Sequence, residues 1–273
     1  AAVPVFDNGA GSYIRISGTQ HMEAVSSMPD WLAQMLHNLI LTGQCTDITL
    51  ELNDSLMTKV LDNGTVSTSP DFVLTGTCTT SFQTSGANRS NNIVVGASRL
   101  NNLIVMPGQT VSVSDTILPR TRANGYKEAG VYVNGAHTTG LGGGVCQISS
   151  TVYNAVKNAG LTVVQRNPHS MPVSYLPKGL DAAIAAGSKD LKFRNDYTTP
   201  VVLYTDTSNK HLTVNVLVWN QELAGRSFKL WAKQTGALSA DTYFTTYQNG
   251  KEVNTQFVGT SRYNPYREAV NDD

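Results

Sequence analysis

Apolar residues return along this chain with two periods, which predict two kinds of element. Between residues 31 and 40 they recur at every third or fourth position, after Pro29 and before Gly43, which predicts a helix with one apolar face. Between residues 148 and 159 the same spacing returns and stops at Gly160, which predicts a second helix. We expect the first face to pack into a core, because such stripes are far more often core than ligand groove.

Alternation of apolar and polar residues marks the predicted strands. Two pairs of strands surround turn-forming dipeptides, Ser208-Asn209 and Asn249-Gly250, and predict hairpins. The stretch 75–92 is rich in Thr, Ser, Asn and Gly and predicts a linker or long loop, and 93–103 predicts a helix. The predicted strands are 12–16, 47–52, 110–114, 130–133, 161–164, 201–204, 212–218, 243–247 and 253–258.

These elements together predict an α+β fold. We expect an antiparallel sheet packed on one principal helix, with Cys146 at the N-terminus of that helix. The first seventy-odd residues are expected to form a small α+β lobe of their own.

Charge and composition narrow the classes of partner. The chain has 273 residues, 40% of them hydrophobic, and 20 basic residues balance 20 acidic ones. This balance argues against electrostatic capture of nucleic acid or of an anionic membrane. No apolar run approaches the length of a membrane span, so we expect an excised outer domain whose membrane anchor lies elsewhere in the full-length protein.

Three cysteines, Cys45, Cys78 and Cys146, leave at least one thiol without an intramolecular partner. If Cys45 and Cys78 pair, Cys146 is the free one. No CxxC spacing is present, so we expect no zinc site, and no other spacing implies a metal or a cofactor.

The run Gly142-Gly143-Gly144-Val145-Cys146 places a thiol where a helix is predicted to begin. Glycines allow another molecule to approach closely, and a helix N-terminus favours the thiolate, which is the nucleophile. The run therefore predicts a reactive cysteine beside an open approach path. The alternative is a buried cysteine at a tight strand-to-helix turn.

A histidine follows the cysteine, as in many thiol acyl-transfer enzymes. His169 lies close to prolines on both sides, where the backbone is stiff, and a fixed imidazole suits a general base. Either Asp181 or Asp190 is predicted to orient its second ring nitrogen. A loop histidine without a catalytic role is the alternative.

Two further features are candidates for binding substrate. Arg166 is predicted to pair with a substrate carboxylate in a forked geometry. The backbone N–H groups of Cys146 and Gln147, with the Gln147 side chain, are predicted to stabilise an oxyanion.

Taken together, these residues resemble the VanW family over roughly residues 79–220. One departure is Gln109-Thr-Val-Ser, where the family usually has an acidic residue and an aromatic one. The first seventy-odd residues are similar to the end of a peptidoglycan-binding domain that often precedes VanW domains. The motifs that carry the resemblance are Arg89-Ser-Asn-Asn92-Ile93, Asn101-Asn102, Pro107-Gly108, Gly125-Tyr126, Ala129, Gly142 to Thr151, Tyr153-Asn154-Ala155, Arg166, His169-Ser170, Tyr175, Gly179, Asp181-Ala182, Asp190-Leu-Lys-Phe193 and Asn195.

The resemblance implies an exported bacterial protein that acts on peptidoglycan stem peptides, donor and acceptor, at the outer face of the cell envelope. It implies an L,D-transpeptidase that forms 3-3 cross-links by cysteine acyl transfer. A cysteine endopeptidase or carboxypeptidase on the same stems, and a non-catalytic wall-binding module, are the alternatives.

Domains and site residues follow from the same resemblance. The expected domains are a peptidoglycan-binding-like portion at 1–76, a catalytic VanW domain at 77–220 and a C-terminal β extension at 221–273. The expected catalytic residues are Cys146, His169 and Asp181, and the expected substrate-binding residues are Gly143, Gly144, Gln147, Arg166, Ser170 and Tyr175.

Overall fold

A computed structural model of the chain describes residues 72–265, except 134, 135 and 186, and five short strands before them. The five strands pair antiparallel in the order β2-β1-β3-β4-β5. Two of them confirm the strands predicted near residues 12–16 and 47–52, whereas the helix predicted at 31–40 lies outside the described residues. The bounds are β1 Ile14–Ile16, β2 Met22–Glu23, β3 Ile48–Glu51, β4 Lys59–Asp62 and β5 Thr65–Val66.

Helices and strands alternate irregularly through the rest of the chain. The described helices are α1 Ala87–Ser98, α2 Val113–Thr116, α3 Val145–Asn158 and α4 Asn220–Leu223. The strands are β6 Phe72–Ser81, β7 Leu103–Val105, β8 Thr110–Ser112, β9 Glu128–Val133, β10 Ala136–Leu141, β11 Thr162–Gln165, β12 Lys192–Arg194, β13 Val201–Asp206, β14 His211–Trp219, β15 Arg226–Gly236, β16 Ser239–Gln248 and β17 Lys251–Arg262.

These strands form four further small sheets. Their orders are β10-β9, β11-β12-β8, β6-β14-β13-β7 and β15-β16-β17. Neighbouring strands run antiparallel in the pairs of β9 with β10, β12 with β8 and β11, β13 with β7 and β14, and β16 with β15 and β17. The chain is therefore α+β with mostly antiparallel sheets, and both predicted hairpins are confirmed.

Backbone contacts divide the chain into two units. One comprises Ala1–Val73 with Val218–Ala224, and the other comprises Leu74–Leu217 with Gly225–Asp273. The three domains expected from the sequence stay a prediction.

Two sequence predictions are wrong in the segment that leads into α1. Residues 75–92 form most of β6 and the start of α1, and α1 ends at Ser98 rather than at 103. Asparagine is a poor helix former in isolation. Here Asn88, Asn91 and Asn92 each donate a side-chain hydrogen bond to a backbone carbonyl between residues 125 and 128, at 2.7–2.9 Å. These tertiary contacts favour the helix where local composition does not.

Helix α3 confirms the second predicted helix. Its apolar residues Ile148, Val152, Ala155 and Val156 are wholly buried. The helix ends at Gly160 (φ +80°), whose N–H bonds Lys157 O while Leu161 N–H bonds Val156 O. This paired arrangement is a Schellman motif, which needs the left-handed conformation that glycine adopts freely.

The C-terminal sheet packs on the last turn of α3. The Asn158 side-chain oxygen accepts a 2.8 Å hydrogen bond from Leu230 N–H. The Lys157 ammonium lies 3.6 Å from the centre of the Phe244 ring. These contacts join residues beyond 220 to the helix that carries Cys146.

Candidate active site around Cys146

Cys146 is the second residue of α3 and is partly buried. The residue before the helix is Gly144, whose φ of 112° is a backbone conformation that other residues rarely adopt. The thiol is free, and its Sγ lies 3.3 Å from Ile184 O. The cysteine thus lies in the first turn of the helix, against the backbone near residue 184.

The close approach that the glycine run predicts is made by the chain itself. A Cβ at Gly143 would lie 2.6 Å from Gly130 O and 2.8 Å from the backbone of Ala129, both in β9. Side chains cover the other two glycines: Arg120 packs over Gly142, and Arg89 packs over Gly144. Any larger residue at 143 would push β9 away from the start of α3.

A segment without helix or strand carries both His169 and Asp181, and α3 holds it in place. The Ser149 hydroxyl donates to Ala182 O at 2.6 Å, and the Ser150 hydroxyl accepts from Ala182 N–H at 2.9 Å. One turn later, the Asn154 amide donates to Leu180 O at 2.7 Å. These buried polar residues fix the backbone of Asp181 against the helix that bears Cys146.

One carboxylate oxygen of Asp181 contacts His169 at two nitrogens. Its Oδ2 lies 2.7 Å from both the ring Nδ1 and the backbone N of His169. This leaves Nε2 as the ring nitrogen available to the thiol. Of the two aspartates that the sequence offered, Asp181 makes this contact. The Asp190 carboxylate instead accepts from the Ser112 hydroxyl and from Ser114 N–H, near the start of α2.

The other oxygen of Asp181 is held from two directions, and the side chain is wholly buried. Its Oδ1 accepts a 2.5 Å hydrogen bond from the Tyr263 hydroxyl, at the end of the C-terminal sheet. Arg166 Nη2 lies 3.3 Å from the same oxygen. A buried carboxylate with this many partners stays ionised and cannot rotate freely.

Comparison with known proteins identifies the segment that contains this site. Residues 88–217 match the sequence profile of the family described as VanW like protein. The chain carries a VanW domain.

Two curated relatives are similar to part of this chain. Protein YoaR of Bacillus subtilis is 42% identical over 128 residues, which is 47% of this chain and 42% of that protein. The vancomycin B-type resistance protein VanW of Enterococcus faecalis is 36% identical over 114 residues, 40% of this chain and 42% of that protein. The chain thus spans less than half the length of either relative. No solved structure matches the chain.

The resemblance to the VanW family is therefore confirmed, whereas the similarity of the N-terminal residues to a peptidoglycan-binding domain stays a prediction. Cys146, His169 and Asp181 all lie inside the matched VanW domain. Tyr263, which donates to Asp181, lies outside it.

Electrostatics in the VanW domain favour a charged cysteine–histidine pair. Burial by itself raises the pKa of Cys146, but the hydrogen bond and charge of His169, a backbone hydrogen bond at Ile184 and the charge of Arg120 together bring it below its usual value. Burial lowers the pKa of His169, but Asp181 and Cys146 outweigh it and raise this pKa to about 9. Both shifts favour the state in which the imidazole carries the shared proton.

The same interactions lower the pKa of Asp181. Burial opposes ionisation of its carboxyl, but the hydrogen bonds from His169 and Tyr263 and the charge of Arg166 lower its pKa to about 2. Between these two pKa values, about 2 and about 9, the carboxylate is therefore negative while the imidazole is positive.

Two of the expected substrate-binding residues, Arg166 and Gln147, hydrogen-bond to other groups of the protein. Arg166 donates to Asp181 O, Gly179 O and the Ser261 hydroxyl at 2.7–3.1 Å, besides its contact with the Asp181 carboxylate. Gln147 is buried, and its side chain bonds Thr80, Ser81 O and Arg89. The Gln147 N–H also bonds Gly144 O. Both side chains thus make several bonds within the protein, and their roles toward a substrate stay predictions.

The other two expected substrate-binding side chains differ in exposure and position. Ser170 is exposed, and its carbonyl accepts from Asn264 N–H. The Tyr175 hydroxyl lies 3.4 Å from the Ser150 hydroxyl, and burial together with the Cys146 charge raises its pKa above the usual range. Tyr175 therefore lies beside the thiol, and its contact with a substrate stays a prediction, as do those of Ser170, Gly143 and Gly144.

Sequence reasoning missed three residues of this site. It gave no role to Arg89 and Arg120, which pack over the glycines, or to Tyr263. Each acts on groups distant in the chain, such as Asp181 at 82 residues from Tyr263. Only the family motif around Arg89 offered a signal, and it carried no chemistry by itself.

A cavity of about 250 Å³ lies beside the C-terminal sheet, but neither Cys146 nor His169 lines it. The cavity's lining residues are Tyr153, Lys157, Val163, Arg166, Thr242, Val258, Gly259 and Thr260.

Among the residues whose side chains are described, no three His, Cys, Asp or Glu lie close enough together to hold a metal ion. None of the described helices is long and apolar enough to cross a membrane.

Proposed function

We propose that this chain is a peptidoglycan L,D-transpeptidase with Cys146 as nucleophile, His169 as acid and base, and Asp181 as the group that orients His169. The observation that carries the proposal is the contact of Asp181 with His169 Nδ1 at 2.7 Å, beside a free thiol of lowered pKa. A thiol with an oriented imidazole suits acyl transfer.

In the first half-reaction, the Cys146 thiolate attacks the carbonyl carbon of the third residue of a donor tetrapeptide. A carbon–sulfur bond forms, and the carbonyl oxygen takes up the negative charge. The carbon–nitrogen bond to the terminal D-Ala then breaks as the His169 imidazolium gives its proton to the leaving amine. The stem is left as a thioester on Cys146.

In the second half-reaction, the side-chain amine of a diamino acid on an acceptor stem attacks the thioester. His169, now neutral, takes the proton from this amine. The carbon–sulfur bond breaks, and the products are a 3-3 cross-link and the thiolate–imidazolium pair of the resting enzyme. Atoms and charge balance without a cofactor.

The partners and the location belong to the same proposal. Donor and acceptor stems place the enzyme at the outer face of a bacterial envelope, held there by an anchor outside this sequence. One relative is named for vancomycin resistance, and we propose a role in antibiotic resistance through the cell wall for this chain as well.

The test is mass spectrometry of disaccharide-tetrapeptide after incubation with the parent protein and with Cys146→Ala. We expect a cross-linked dimer that has lost D-Ala, reduced roughly 10³-fold or more in the variant. Cys78→Ala is the matched control, because burial raises the pKa of that free thiol to about 12 and leaves it inert.

The products also separate the alternatives. A shortened monomer that depends on Cys146 would replace the transpeptidase by a cysteine peptidase on the same stems. Binding of muropeptides without turnover, unchanged in Cys146→Ala, would replace it by a wall-binding module.

A further inference from the structure

Two arginine side chains lie on the glycine run that leads into Cys146. A Cβ at Gly142 would lie 2.8 Å from Arg120 Cδ, and a Cβ at Gly144 would lie 3.0 Å from Arg89 Cγ. Both arginine stems therefore occupy the space that the missing side chains leave open. Gly144 and Gly142 are the second and fourth residues before the cysteine. An arginine side chain packs over each of them.

Neither arginine has a carboxylate partner among the described residues. Arg89 donates to the neutral acceptors Ser85 Oγ and Gln147 Oε1, at 2.6 and 2.9 Å. Arg120 Nη1 is buried and has no hydrogen-bond partner in the part of the chain that the structure describes. The cation Arg166, by contrast, is paired with Asp181.

A buried guanidinium nitrogen without a partner is costly, because its lost hydration is not replaced. Such groups commonly await a ligand at functional sites. The charge of Arg120 acts directly on Cys146, and Arg89 interacts with both Cys146 and Tyr175. Two unneutralised cations thus border the thiol, and a small anion bound there would neutralise them and supply the missing acceptor for Nη1.

We propose that Arg120, with Arg89 beside it, forms a carboxylate subsite next to Cys146 that holds the free C-terminal carboxylate of the donor stem. This inference rests on the proposed function for the identity of the stem, and it gives to Arg120 the role that the sequence suggested for Arg166. A guanidinium fork matches a carboxylate in bidentate geometry.

The subsite has a consequence for which bond is cleaved. A carboxylate held beside the nucleophile places the scissile carbonyl one residue from the chain terminus. The enzyme then accepts stems whose last residue bears a free carboxylate, and it rejects stems that continue or that end in an amide. This favours removal of a single terminal residue over internal cleavage.

The first test needs no turnover. Iodoacetate and iodoacetamide both alkylate a thiolate: the sulfur bonds to the methylene carbon and iodide leaves. They differ in that only iodoacetate carries a carboxylate. We expect Cys146 in the parent protein to favour iodoacetate over iodoacetamide about tenfold or more relative to glutathione, and Arg120→Gln to lose that preference. Peptide mass spectrometry assigns the adduct to Cys146.

Arg122→Gln is the matched control, because Arg122 lies two residues away, is exposed and pairs with Glu128. It should keep the parental preference. Arg120→Lys retains a charge without the fork and should give an intermediate preference, which supports the subsite if Arg120→Gln unfolds. The same reagent ratio in the parent, Arg120→Gln and Arg120→Lys proteins would overturn the proposal.

The second test compares donor tetrapeptides that end in an acid or an amide. We expect the parent to prefer the acid in kcat/KM about tenfold or more, and Arg120→Gln to lower turnover of the acid only. An active parent protein without this preference refutes the carboxylate subsite and leaves the transpeptidase standing. A parent protein that turns over neither stem refutes the proposed function, while the alkylation ratio still decides whether an anion is bound.

Discussion

The Cys146 thiol and the His169 imidazole hold one proton between them, and the groups around them decide where it lies. Asp181 makes the imidazole the better base by accepting its Nδ1–H, and the imidazole then lowers the pKa of the thiol. These shifts favour the charged pair although both residues are partly buried. Each single charge would be unfavourable in such a place without the other.

His169→Gln tests this pair at the residue scale. Cys146 should react with iodoacetamide along a pH profile whose midpoint lies below the ordinary thiol pKa of 9.0. In the variant the midpoint should rise by about one pH unit or more, because burial still opposes the thiolate and its main support is gone. His211→Gln should keep the parental profile, because the described contact of the His211 ring is with Asn209 O, away from Cys146. Superimposable profiles for His169→Gln and the parent would refute the pair.

At the scale of elements, α3 performs two tasks on two faces. Its apolar face is buried in the core, whereas the hydroxyl and amide groups of Ser149, Ser150 and Asn154 bind the backbone of residues 180–182. The second face aligns Asp181, and through it His169, with the first turn of the same helix. The helix therefore supplies the cysteine and also positions the partners of the cysteine.

Ser150→Ala tests the polar face of α3. The change leaves the buried Ala182 N–H without its acceptor, so the free energy of unfolding should fall by about 1–3 kcal/mol. The Cys146 alkylation midpoint should also rise, because the segment that carries Asp181 loosens.

Ser98→Ala is the control for that change. Ser98 is also a helical serine that bonds a carbonyl three residues earlier, but it is exposed. Its replacement should change the unfolding free energy by no more than about 0.5 kcal/mol. Equal losses of unfolding free energy in the two variants would mean that the Ser150–Ala182 contact stabilises the protein no more than the exposed Ser98 bond does.

At the scale of the whole molecule, the candidate site extends past the segment that the VanW profile matches. The Tyr263 hydroxyl accepts from Gly179 N–H at 2.6 Å and donates to Asp181 at 2.5 Å, and Ser261 bonds Arg166. Three of the hydrogen bonds that hold Asp181 and its neighbours thus depend on residues in or directly after the C-terminal sheet. We infer that this sheet belongs functionally with the VanW domain.

Tyr263→Phe tests that inference with the smallest change. Loss of the hydroxyl leaves the buried Gly179 N–H without its acceptor and Asp181 Oδ1 with only Arg166 of its two described partners, so the free energy of unfolding should fall by about 1–3 kcal/mol. Turnover should fall about tenfold through kcat with KM nearly unchanged, because Tyr263 positions Asp181 and touches no substrate.

Tyr243→Phe is the control for the C-terminal sheet. Tyr243 stacks on Trp231 in the same sheet and has no described hydrogen bond from its hydroxyl. It should keep parental stability and turnover. Parental kcat in Tyr263→Phe would confine the functional site to the matched VanW segment.

Local patterns predicted much of the fold. The sequence predicted helix α3, with Gly160 just beyond its end, and the hairpins around Ser208-Asn209 and Asn249-Gly250. These elements could be predicted because periodicity and turn chemistry act over a few residues. The start of α1 was not, because its asparagines are stabilised by carbonyls some 35 residues away. Cys146 and His169 stood out as candidates by residue type and setting.

The sequence by itself determined the α3 helix, its cysteine and the resemblance to the VanW family. The tertiary structure decided which of Asp181 and Asp190 contacts His169, and it gave Arg166 and Gln147 partners within the protein. It also left Arg120 Nη1 without a partner among the described residues and brought Tyr263 to the carboxylate. Those outcomes depend on which side chains meet across the fold. A local pattern carries no information about such meetings, because hydrogen bonds and charges act through space between residues that the chain places far apart.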